Sequence, residues 1–155
     1  MHHDTFPHPD RGMRVSSHVL CLERGRVLLT RRRGPGPGGL AWTLPGGVLD
    51  FGEHPVDAAR REVLRSTGFV VETGVLLGVD SARGNGVAPP GRRGPTELHL
   101  LRLVYVARVV GNLVVEGVAS WGIGAEWVDL GELMDGRRID LVDTALEWAW
   151  SDVPA

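Results

Sequence analysis

The feature that most constrains this chain is one strong helical pattern between residues 55 and 68, with extended segments before and after it. Pro55 suits the first helical turn, where its missing N–H costs nothing, and Asp57 favours the positive end of a helix. Residues at helical spacing are Val56, Ala59, Val63 and Thr67, and Gly68 supplies a stop. These signals make this segment the clearest helix in the sequence.

The rest of the chain is predicted to be mostly strands. Val15 to Leu22 and Val27 to Thr30 are apolar and flank the turn residues 23–26, which predicts a hairpin. Leu98 to Val110 is apolar on both faces, as expected for a central strand. Further predicted elements are extended chain at 69–80, a short strand at 126–128 and an amphipathic helix at 140–150. This order predicts an α/β fold with a mixed sheet between helices.

Length and composition predict a single domain. Residues 1–12 are polar and are expected to form a disordered tail, with the folded domain at 13–152. Two segments rich in glycine and proline, at 34–39 and 82–95, are predicted loops. The second loop is long enough to have a function of its own.

Composition also excludes several kinds of site. All 17 basic residues are arginines, so neither a Schiff-base lysine nor a P-loop lysine is available. The net charge of -2 gives no footprint for nucleic acid, and no apolar stretch predicts a membrane span. The single cysteine, Cys21, cannot form an internal disulfide. A cytoplasmic protein that binds neither nucleic acid nor membrane is therefore expected.

The segment from residue 47 to residue 69 carries a motif with defined spacing. Its residues, in order, are Gly47, Glu53, Arg61, Glu62, Val63 and Gly68. They resemble the Nudix box, G-x5-E-x7-R-E-U-x-E-E-x-G-U, where U is a bulky aliphatic residue; Phe69 is aromatic at the last position. Flanking segments at 28–32, 42–47 and 126–130 extend the resemblance to most of the chain.

The resemblance implies a fold and a chemistry. Nudix proteins are α/β/α sandwiches with a mixed central sheet, are commonly homodimers, and cleave a diphosphate linked to another moiety. Mg²⁺ or Mn²⁺ ordinarily neutralises the phosphate charge, held by carboxylates at helix positions i, i+3 and i+4. By resemblance, Glu62 is the catalytic and metal-binding carboxylate, and the loop at Gly47 adds a backbone oxygen. Arg61 is expected to pair with Glu53 and, with Gly68, to complete the structural part of the box.

The chain departs from the box at two positions. Arg65 and Ser66 replace the two glutamates that normally complete the metal site. Helical spacing places both on one face with Glu62, which we expect to be exposed beside the Gly46–Gly47 loop and to border the main cleft. Either this face has become ordinary surface, or the Arg65 guanidinium replaces the metal and contacts phosphate directly.

Metal binding is accordingly expected to be weak. Glu62 and Gly47 are the remaining ligands, and the carboxylate that many family members place in a later loop has no counterpart in register. Glu116 and Glu126 lie nearby in the sequence but are out of register with that position. One or two anions do not meet the ligand requirement of so hard a cation.

Other residues are candidates for ligand contact. Arg32 could reach a phosphate from the end of its strand, and Trp121 could either pack or stack on a flat ligand. His99 is either a satisfied histidine of the sheet or a group aimed at the cleft. Trp42 is expected to pack in the core.

The sequence therefore predicts a Nudix-type hydrolase with a degenerate box, acting on a nucleoside diphosphate derivative or another organic diphosphate. One alternative is a non-catalytic domain that binds such a small nucleotide-like ligand as a sensor or partner module. Another is a divergent biosynthetic enzyme that uses the cleft without metal. Substrate choice resides in loops that a single sequence does not decode.

Overall fold

A computed structural model of the protein describes residues 11–33, 39–85, 94–113, 124–133 and 138–151. The elements in chain order are β1 (Arg11–Leu20), β2 (Leu22–Glu23), β3 (Arg26–Arg33), β4 (Leu40–Thr43), β5 (Gly46–Val48), α1 (Pro55–Thr67), β6 (Phe69–Asn85), β7 (Glu97–Asn112), β8 (Ala125–Asp129) and α2 (Asp140–Ser151). Residues 1–10 lie outside the described part, so the tail and the domain bounds stay predictions.

Two sheets make up the centre of the molecule. The first is mixed, in the order β5-β1-β7-β6, with β1 parallel to β7 and the other neighbours antiparallel. The second is antiparallel and is built on β3, which pairs with β2, β4 and β8. The predicted mixed sheet is confirmed, and so is the interior position of β7. The second sheet was not predicted.

Alternate residues of the inner strands face different helices. Val19 and Cys21 pack in one cluster with Ala59 and Val63 of α1, whereas Leu20 between them packs in the other cluster with residues of α2. Successive side chains of a strand point to opposite faces, so the two helices cover opposite sides of the sheet. This arrangement confirms the predicted α/β/α sandwich. Both predicted helices are also confirmed, as α1 and α2.

The predicted hairpin between residues 15–22 and 27–30 is wrong for most of its length. β1 pairs with β5 and β7 in the mixed sheet, and only Leu22 and Glu23 pair with β3. The chain passes from one sheet to the other at the buried Cys21. Both segments are apolar because both are buried, and burial does not specify which strand is the partner.

The predicted loop at 82–95 is shorter than expected. β6 continues to Asn85 and stays paired with β7 to that point, so the first four residues of the segment are strand. Residues 86–93 lie outside the described part, as do residues 34–38 of the other predicted loop. Within the described ranges, no helix is long and apolar enough to span a membrane.

Candidate functional site

Helix α1 positions the box residues, and its ends are fixed locally. His54 is the N-cap, and its Nδ1 accepts a hydrogen bond from the Val56 N–H at 3.1 Å. Gly68 ends the helix with φ of 78°, and its N–H donates to the Leu64 carbonyl. This left-handed conformation favours glycine because it has no Cβ. The predicted start at Pro55 and stop at Gly68 are both confirmed.

Arg61 connects the loop before α1 to the helix. Its Nε and Nη2 donate to the two carboxylate oxygens of Glu53 at 2.8 and 2.9 Å, and Nη2 also donates to the Val48 carbonyl at 3.1 Å. The predicted contact between Arg61 and Glu53 is confirmed. The bond from Arg61, helped by the Asp50 N–H and opposed by burial, lowers the pKa of Glu53 to about 2.

Replacing Glu53 by glutamine is expected to destabilise the protein near neutral pH, because Arg61 loses the carboxylate that accepts two of its hydrogen bonds. The pKa of Glu53 is below its ordinary value of 4.5, so its contribution is complete above that pH and is lost as pH falls towards 2. Urea unfolding of wild type and E53Q from pH 7 to pH 2.5 should show two curves that converge in acid. E72Q, in the exposed pair with Arg108, is the matched control and should follow the wild type. If E53Q is as stable as the wild type but has lost activity, Glu53 has a catalytic role instead of a structural one.

Glu62 is buried, with 7% of its surface exposed. One carboxylate oxygen accepts from Arg61 Nη1 and the other from Arg65 Nη2 at 2.8 Å. Gly47 lies against the same carboxylate, since a Cβ there would be 2.6 Å from Glu62 Oε2. The predicted position of Glu62 beside the Gly46–Gly47 loop is confirmed. Its predicted exposure is wrong, because the loop and the two arginines cover it.

The two substituted box positions behave differently. The Arg65 side chain is 60% exposed and holds Glu62 through one N–H. The Ser66 hydroxyl donates to the Glu62 main-chain carbonyl at 2.8 Å, which turns its proton back onto the helix. Arg65 therefore provides the outward-facing charge of this face.

The residues around Glu62 do not fit a site for Mg²⁺ or Mn²⁺. Such cations need several oxygen ligands, and Mg²⁺ requires near-ideal octahedral geometry. Glu62 is the only carboxylate on the helix face that it forms with Arg65 and Ser66. One of its oxygens already accepts a hydrogen bond from Arg65, whose positive charge lies where a cation would approach. In the part of the chain that the structure describes, no three His, Cys, Asp or Glu side chains are grouped so that they could hold a metal ion.

Strand β5, which carries Gly46 and Gly47, is also held by β1, through a residue that the sequence did not single out. His18 is paired with Gly46 and is 6% exposed, with Nε2 2.9 Å from Ser16 Oγ. Burial lowers the pKa of His18 to about 4, the charges of Arg102 and Arg32 act in the same direction, and the Leu44 carbonyl opposes them. The sequence feature that could have identified His18 is its position directly before the apolar run at residues 19–22.

Arg102 is a second residue that the sequence analysis missed. Its Nε donates to Asp80 at 2.8 Å and its Nη1 to Asp140 at 3.1 Å, which joins β7, β6 and the start of α2. Burial by itself would lower the pKa of Arg102, but the bonds to Asp140 and Asp80 outweigh it and raise the pKa. The sequence feature that could have identified Arg102 is a single charged residue within the otherwise apolar segment 100–104.

The structure does not bring His99 to the box. His99 is exposed on β7, with Nε2 2.6 Å from Ser81 Oγ, and lines a separate cavity of about 750 Å³. It pairs with Met13, whereas Gly47 pairs with Ser17, four residues further along β1. Four residues of strand correspond to roughly 13 Å.

The remaining candidates have different surroundings. Arg32 is exposed on β3, and among the described residues no hydrogen bond joins its side chain to the box; its charge contributes to the low pKa of His18. Trp42 packs against the core as predicted, and the Arg31 guanidinium lies 4.3 Å from its ring centroid. Trp121 and Glu116 lie outside the described residues.

The sequence is similar to a known protein family and to individual members of it. Residues 12–148 match the family model of the NUDIX domain. A MutT-like protein of Streptomyces ambofaciens is 41% identical over 134 residues, which are 82% of this chain and 75% of that protein. A Xenopus laevis protein named nucleoside diphosphate-linked moiety X motif 6 is 32% identical over 120 residues. These residues are 77% of this chain and 50% of the Xenopus protein.

Solved structures give the same result for the fold. A NUDIX hydrolase from Nitrosomonas europaea superposes with a TM-score of 0.71 at 23% identity, covering 90% of each chain. A MutT NUDIX hydrolase from Burkholderia pseudomallei gives 0.66 at 28% identity, covering 88% of this chain and 98% of that one. These structures show the fold; the family-model match over residues 12–148 and the 41%-identical relative show that the chain belongs to the Nudix family.

Proposed function

We propose that this protein binds, and slowly hydrolyses, a nucleoside diphosphate derivative or another organic diphosphate at the face formed by Glu62, Arg65 and Ser66. Family membership supports the diphosphate chemistry, and the 32%-identical Xenopus relative is named for a nucleoside diphosphate-linked moiety. Arg32 and Trp121 remain proposed ligand contacts at this face, and His99 remains one at the separate cavity that it lines. Because both oxygens of Glu62 already accept from arginines, we do not propose that Gly47 acts as a metal ligand here.

The state of Glu62 is the observation that supports slow turnover. By family resemblance, this box position is the catalytic and metal-binding carboxylate. Here each carboxylate oxygen already accepts a bond from an arginine, and Gly47 closes a further side. A water molecule must therefore compete with Arg61 and Arg65 for the only carboxylate of the face.

The same observation favours a second candidate, a Nudix domain that binds a nucleotide-like ligand without cleaving it. The donors that neutralise Glu62 would then also help to hold the diphosphate. The face formed by Glu62, Arg65 and Ser66 would then keep its ability to bind the ligand but would no longer catalyse its hydrolysis.

Parallel turnover and binding measurements distinguish the two functions. The full chain is incubated with a panel of nucleoside diphosphate compounds in Mg²⁺, Mn²⁺ or EDTA, and released mononucleotide is measured by chromatography. Thermal shift against the same panel reports binding, and E62Q provides the control for turnover. We expect binding with slow turnover that E62Q abolishes. Binding with no turnover would support the second candidate, and neither binding nor turnover would contradict both.

A further inference from the structure

We propose that the Arg65 guanidinium is a tethered cation that binds the diphosphate group in place of a divalent metal ion. This inference rests on the proposed function, because it assumes that a diphosphate occupies the box face. It adds that binding there does not require Mg²⁺ or Mn²⁺.

The first support is the position of Arg65. Its Nη2 is 2.8 Å from Glu62 Oε2, the carboxylate oxygen that faces Gly47. In the box pattern, a metal held by Glu62, by the loop and by carboxylates at positions 65 and 66 would lie at this place. A guanidinium on the same oxygen provides positive charge there without any ion from solution.

The second support is the number of free donors. A guanidinium has five N–H groups, and Arg65 uses one of them on Glu62. Among the described residues it has no other hydrogen-bond partner, and its side chain is 60% exposed. Arg61, by contrast, uses its donors on Glu53, Glu62 and Val48. Arg65 is therefore the arginine of this face that can present a fork to a phosphate.

The third support is pre-organisation. Holding a long side chain in one position costs conformational entropy, and the bond to the buried Glu62 fixes one end of Arg65 before any ligand arrives. Arg61, Arg65, Glu53 and Glu62 together carry no net charge. Binding is then expected to depend on directed N–H donors rather than on a general positive field.

The test is calorimetric titration of inorganic pyrophosphate, first in EDTA and then with Mg²⁺, into wild type, R65Q and R60Q. Arg60 is the matched control, because it is an exposed arginine of the same helix with no contact to Glu62 among the described residues. We expect the wild type to bind in EDTA. R65Q should bind about tenfold or more weakly, as loss of charge-assisted bonds implies, and R60Q should stay within about twofold of wild type.

A further variant, R65K, keeps the charge but loses the planar fork, so we expect intermediate binding. It also carries the test if R65Q does not fold. Equal losses in R65Q and R60Q, or binding by R65K equal to wild type, would overturn the inference. Wild-type binding only with Mg²⁺ would overturn it and leave the proposed function standing. Binding of neither pyrophosphate nor any panel compound, in either condition, would refute the proposed function itself.

Discussion

The R65E/S66E double variant is expected to bind Mn²⁺ or Mg²⁺ on the order of a hundredfold more tightly than the wild type, since single supporting contacts already change metal affinity by about 10- to 100-fold. The two glutamates would join Glu62 at helix positions i, i+3 and i+4, which share one face. The change also removes the guanidinium that now holds Glu62 Oε2. Hard cations then meet the oxygen ligands that they require.

Three comparisons make this prediction specific. S66E alone should gain less, because Arg65 still holds Glu62 and repels the cation. R60E/S66E carries the same change in charge as R65E/S66E but places one glutamate off the Glu62 face, so it should also gain less. Titration calorimetry of Mn²⁺ into all four proteins measures the affinities. A wild type that binds as tightly as R65E/S66E would mean that other ligands complete the site, with Glu116 and Glu126 the first to test.

Replacing Gly46 by alanine is expected to lower the free energy of unfolding by roughly 3 kcal/mol or more, among the largest effects of any single substitution. Gly46 has φ of 146°, a conformation that L side chains rarely adopt. An added Cβ would also collide with the Ser17 carbonyl oxygen and would lie 2.6 Å from the His18 Cα. Both are backbone atoms of the paired strand β1, so neither can move aside cheaply.

Gly52 provides the control for this substitution. It also has positive φ, at 77°, but a Cβ there would meet no atom within 4 Å. G52A therefore measures the milder strain of a left-handed φ without any collision, and the difference between the two variants gives the collision with β1 together with the larger backbone strain at φ of 146°. Urea unfolding of both variants gives the two values. Equal losses in G46A and G52A would show that the loop can relax away from β1.

The sequence by itself determined the features that depend on neighbouring residues or on fixed spacing. Pro55 and Gly68 specify the ends of α1 because they act through local backbone conformation. The resemblance to the Nudix box predicted the Arg61–Glu53 contact, and both ends of that bond lie within one loop-and-helix segment. The absence of carboxylates at positions 65 and 66 is likewise fixed by the sequence alone.

The tertiary structure decided what depends on distant segments. β1 and β3 each contain a short run of buried apolar residues, and only the assembled sheets assign β1 to β7 instead of the expected hairpin. An apolar run indicates burial and does not specify the partner strand. Glu62 was expected at the surface, and it is buried because Gly47 and two arginines meet over it. A charged group in the interior must find partners, and those partners come from whichever segments the fold brings near. For the same reason, the Arg102 pairs with Asp80 and Asp140 could not be derived from spacing along the chain.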